Sequence, residues 1–74
     1  MNNTELYELF YLNSARDDAK EIMNRIMIIR DHLMDSAGIL AVHKGEALTD
    51  LGEAYDKVKS AMLKIENCIS TIRF

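Results

Sequence analysis

From Leu48 to Ile72 apolar side chains return at alternating steps of three and four: Leu48, Leu51, Tyr55, Val58, Met62, Ile65, Ile69 and Ile72. That spacing places them on one stripe of an α-helix, and sustained over more than three heptads it describes a seam of left-handed helix packing. A seam of this kind needs a second helix to cover it. The first half of the chain supplies one, since from Leu12 the residues Ala15, Ala19, Ile22, Ile26, Ile29 and Leu33 keep the same alternation. Proline is absent and all three glycines, Gly38, Gly45 and Gly52, fall within one central stretch of 15 residues, so any break lies there. The pattern predicts an all-α fold: an antiparallel two-helix hairpin within one domain, residues 1–74.

Local signals set the expected boundaries. Asn2, Asn3 or Thr4 can cap the first helix, and Glu5 and Glu8 suit its positive end. The run Asp35-Ser36-Ala37-Gly38 reads as a stop, with Gly38 able to take a left-handed conformation past the helix end. These signals place the first helix at about 4–37, the turn at about 38–45 and the second helix at about 46–73. Asp50 with Glu53 also resembles a capping box, which allows a start nearer residue 50 with a short extra turn before it.

A bend near residue 43 pairs Phe74 with Leu12 and leaves Met1 to Tyr11 beyond the second helix. That overhang holds Leu6, Tyr7, Leu9, Phe10 and Tyr11, which either meet another chain or fold back. Met23, Met27 and Met34, with Arg30 among them, form a row beside the expected seam, and Ile28 widens the apolar arc. On the second helix Ala47, Ala54, Ala61 and Cys68 recur every seven residues, a line of small side chains that lets another helix approach. Unbranched thioethers adapt to irregular partner surfaces. The expected partner interface is therefore Leu6, Tyr7, Leu9, Phe10, Tyr11, Met23, Met27, Met34, Ala54 and Ala61, although both lines could instead widen the contact within the chain. A 74-residue hairpin with one seam and no staple is marginal alone, which predicts assembly into a four-helix bundle, homomeric or heteromeric.

Composition narrows the function classes. Nine Lys and Arg are interspersed with twelve Asp and Glu for a formal charge of -3, unlike the basic face of a nucleic-acid module. Cys68 is the lone cysteine, excluding an internal disulfide and reading as a small packed residue. Neither histidine falls into a zinc spacing or the Glu-x-x-His step of a di-iron bundle. His32 with Asp31 and Asp35 reads as a solvated helix face. No phosphate loop, cofactor site or catalytic set is expected, so the chain reads as non-enzymatic. No apolar run reaches membrane-spanning length, and Met1 to Glu5 lack a basic n-region followed by an apolar block, so a Sec signal peptide is not expected. The expected location is cytoplasmic, or outside by a route that reads no such signal.

The segment Ala41-Val42-His43-Lys44-Gly45-Glu46-Ala47-Leu48, followed by Leu51 and Tyr55, resembles the WXG family, the ESAT-like helical hairpins of type VII secretion. In that family a Trp-x-Gly turn joins two antiparallel helices. His43 stands at the tryptophan position and Gly45 at the glycine, with Leu48, Leu51 and Tyr55 at the seam positions that follow. The chain is shorter than is usual there. It also lacks the aromatic residue followed four positions later by an acid that serves as the export signal: Phe10 precedes Ser14, Tyr11 precedes Ala15 and Tyr55 precedes Lys59. The resemblance implies a bacterial targeting partner or chaperone, pairing as a heterodimer with a WXG-like sibling or with the helical targeting domain of a larger effector that carries the address. The alternative is a homodimeric helical-bundle regulator or inhibitor of a larger phage or bacterial protein.

Overall fold

The computed structural model describes residues 2–36 and 41–72, and in them the chain forms two long helices, α1 (Asn3–Asp35) and α2 (Ala41–Thr71), packed against each other. Helix α1 starts where Asn2 Oδ1 accepts the Glu5 backbone N–H at 2.8 Å, which satisfies one of the donors a helix start leaves open. It ends at Ser36, whose extended backbone (φ -73°, ψ 133°) turns the chain away while its N–H is shared between the carbonyls of His32 and Leu33. Lys44 then reaches back from α2 and donates to the Ser36 carbonyl at 2.7 Å, placing a cation at the negative end of α1. Gly38, the expected left-handed stop, lies outside the described residues.

The second helix starts at Ala41 and not near residue 46 or 50. His43 and Gly45 therefore belong to its first turns, and Asp50 and Glu53 to its interior; none of them forms the bend. The reason is local: no glycine among the described residues has a positive φ, and Val42, His43 and Lys44 carry nothing that stops a helix. An earlier bend changes what faces what. Glu5 and Glu8 line one groove with Thr71 and Ile72, while Ile26, Met27 and Arg30 line another with Leu51, Gly52 and Tyr55. The end of α2 thus reaches the beginning of α1, and the expected Met1 to Tyr11 overhang is largely absent. With α1 ending at Asp35 and α2 starting at Ala41, Tyr11 lies beside Cys68 and Met27 beside Gly52, a slide of about seven residues from the pairing of Leu12 with Phe74, roughly 10 Å at 1.5 Å each, which removes most of it.

The seam of α2 is the one its periodicity predicts: every position from Leu48 to Ile72 in the three-four series is half-buried. On α1 the covered stripe is Leu9, Leu12, Arg16, Ala19, Met23, Ile26 and Leu33, so that the row at Leu12, Ala19, Ile26 and Leu33 is as expected but its neighbour is not. Ala15, Ile22 and Ile29, expected in the seam, are exposed, and Met23, expected outside it, is buried. Both neighbours alternate three and four with the shared row, so periodicity alone leaves the rotation of α1 open by one position.

Little of this ribbon is interior. Among the described residues only Ala19 and Met23 are buried, at 8% and 9% exposure. The radius of gyration is 17.1 Å, against about 11 Å for a globular chain of this length, and the long axis spans 58 Å. Accessible surface is 5768 Å², roughly 1,100 Å² more than the size scaling of compact monomers gives at this mass.

Candidate partner-binding faces

The antiparallel register sorts the uncovered apolar residues into three surfaces. The first is an aromatic patch near the start of α1, where Leu6, Tyr7, Phe10 and Tyr11 surround a shallow pocket floored by Asn3. Tyr7 and Tyr11 are each 67% exposed, and the rings of Phe10 and Tyr11 meet edge to face at 5.5 Å between centroids. These residues are exposed because they point away from α2, not because α1 outruns it. Leu9, grouped with them from the sequence, turns inward and is half-buried in the seam.

The second surface is one long edge of the ribbon. In an antiparallel pair the residue row three positions beyond each inner seam row of one helix runs beside the equivalent row of the other. Glu8 and Tyr11 accordingly share a groove with Cys68 and Thr71. Along this edge α1 presents Ala15, Ile22 and Ile29, while α2 presents Ala47, Ala54, Ala61 and Cys68. None of these seven side chains is charged, and the charge in the same α1 row, Glu8, stands at its end beside Thr71. Ala54 is half-buried by the hairpin, whereas Ala61 and Cys68 are exposed, so Cys68 is not the packed residue expected of it.

The third surface is the opposite edge, where Met27 shares its groove with Gly52 and where Met34 is also exposed. Lys20 and Lys59 interrupt it at equivalent heptad positions. Of the three methionines expected on one free row, Met27 and Met34 remain available, but Met23 is taken up by the seam. An added Cβ at Gly45 or Gly52 would meet nothing within 4 Å, so neither glycine is demanded by a close approach within the hairpin.

Polar chemistry is sparse. His32, Asp31 and Asp35 are all exposed, and among the described residues the ion pairs are Arg16–Asp17 at 3.4 Å, beside the seam, and the exposed Arg25–Glu21 at 3.2 Å. Among the described residues no group of His, Cys, Asp and Glu is placed to hold a metal ion, and no helix is long and apolar enough to cross a membrane. His43 is exposed on the first turns of α2, one step before Lys44. Sequence reasoning named the aromatic patch and Ala54, Ala61, Met27 and Met34. It missed Ile22 and Ile29 as free surface because it had placed them in the seam. No protein-family model matches the chain, and neither a curated protein nor a solved structure is detectably similar to it.

Proposed function

We propose that this protein is a non-enzymatic binding partner, a helical hairpin that completes a helical bundle with another protein. The observation that carries the reading is the imbalance of its surface: large apolar residues, from Leu6 and Tyr7 to Met34 and Leu63, stand exposed on a chain with two buried side chains among those described. Exposed apolar patches of this kind mark interaction sites in soluble proteins. The aromatic patch is the surface that fits a foreign partner best, because tyrosine and phenylalanine supply contact area at small entropic cost.

The specific setting is type VII secretion, in which the chain accompanies a WXG-like sibling or the helical targeting domain of an effector. Its support is the hairpin architecture and the heptad seam; the His43-x-Gly45 element contributes no turn, since it lies within α2. Coexpression with the products of its neighbouring genes tests this reading. A co-purifying complex that is lost in Tyr7→Asp with Phe10→Asp is the expected result. A chain that remains free of every such neighbour overturns it. A homodimeric regulator is the second reading, favoured by the uncharged edge.

A further inference from the structure

We propose that the uncharged edge of the hairpin is closed by a second copy of this chain, the isoleucine row of each copy resting on the alanine row of the other. The rotation of α1 is the first reason. The hairpin turns Arg16 toward its seam and leaves Ile22 and Ile29 outside at 49% and 48% exposure. A helix serving one neighbour would bury the isoleucines and expose the arginine, whereas a helix in a four-helix bundle is covered on two sides and needs an apolar stripe three rows wide. Helix α1 has that width over its middle: between Ala19 and Ile29 the row at Ala19 and Ile26 is flanked by Met23 on one side and by Ile22 and Ile29 on the other.

Self-complementarity identifies the occupant. The edge pairs a large row on α1 with a small row on α2, and a two-fold axis parallel to the helices sets each large row over the other copy's small row, as an isologous interface requires. All neighbouring helices stay antiparallel in that arrangement. One flanking contact is complementary: at the level set by Tyr11 beside Cys68 and Met27 beside Gly52, Asp18 of one copy comes between Lys57 and Lys64 of the other. The opposite edge, carrying Lys20 and Lys59, would set lysines against lysines under the same operation. The area also suffices. From Ala47 to Cys68 the edge runs about 30 Å, and two helices make it about 20 Å wide, so roughly 600 Å² per copy and about 1,200 Å² in all are covered, the lower bound of specific interfaces.

This dimer does not depend on the targeting reading, because its isoleucine and alanine rows lie off the aromatic patch, which meets the edge at Tyr11. Light scattering on the purified chain should give twice the 8.5 kDa chain mass at tens of micromolar. Ile22→Glu with Ile29→Glu should weaken association by about 100-fold or more while Met27→Glu leaves it unchanged. Should the double glutamate variant fail to fold, cross-linking decides: in a Cys68→Ser background, Ile22→Cys with Ala54→Cys should yield a covalent dimer on mild oxidation, and Met27→Cys with Gly52→Cys should not. A monomeric wild type, a dimer indifferent to the glutamates, or cross-linking through the opposite edge each overturns the proposal. Tyr7→Asp with Phe10→Asp should abolish capture of a foreign partner and leave the dimer intact, so the two readings fail separately.

Discussion

Replacing Gly45 and Gly52 by alanine should make the protein more stable, and the size of the gain follows from the backbone. Both residues lie inside α2, neither has a positive φ, and a methyl group at either Cβ position would meet no atom within 4 Å. Nothing then opposes the intrinsic preference, and each substitution should contribute about 0.5–1 kcal/mol, partly by restricting the unfolded chain. The positions are two helical turns apart and share no side-chain partner, so their effects should add. With an unfolding entropy of about 2.1 cal/mol/K per residue, roughly 0.16 kcal/mol/K for this chain, each alanine should raise Tm by about 3–6 °C and the pair by about 6–12 °C. Circular dichroism melts at one fixed protein concentration measure this, since association also shifts Tm. A lower Tm for Gly45→Ala would refute the reasoning, because it would mean that residue 45 needs a conformation or a clearance that a helix interior does not.

Four further substitutions test the rotation of α1, and two double variants test the proposed interfaces. Met23→Ala should cost about 2 kcal/mol in urea unfolding, while Met27→Ala and Met34→Ala stay within about 0.5 kcal/mol, because the first methionine alone is enclosed. Equal losses at all three would mean that α1 presents a different face. Arg16→Leu should stabilise the hairpin by about 1 kcal/mol: its side chain is 28% exposed in the seam and its contact with Asp17 is a long one at 3.4 Å, so an apolar replacement gains burial at little cost. An unchanged or lower urea midpoint for that variant would count against Arg16 facing α2. The double aspartate at Tyr7 and Phe10 should remove partner capture, and the double glutamate at Ile22 and Ile29 should remove the dimer, as read by co-purification and by light scattering.

Helix α2 was legible in the sequence because its seam has a single reading: Lys59 and Glu66 bound the large apolar side chains on one side, and only the small Ala47, Ala54, Ala61 and Cys68 flank them on the other. Helix α1 was legible as a helix but not in its rotation. Its central row has apolar neighbours on both sides, Ile22 and Ile29 on one and Met23 on the other, and a period of three and four accepts either. The bend was misplaced because His43-x-Gly45 looks like punctuation, whereas a glycine in a helix is tolerated at a cost of about 1 kcal/mol. That one shift produced the expected overhang. The aromatic residues were nevertheless rightly picked out as free surface, since Tyr7, Phe10 and Tyr11 project outward in either register.

The slimness of the interior bears on how long a solitary molecule survives. With Ala19 and Met23 as its enclosed side chains, the hairpin opens through local fluctuations that expose backbone amides to exchange and peptide bonds to cleavage. Docking of another hairpin, as proposed above, would lengthen that lifetime by mass action. Surplus copies without a companion would then be degraded first, which would tie the amount of this chain to the supply of whatever it joins and set stoichiometry without a dedicated regulator.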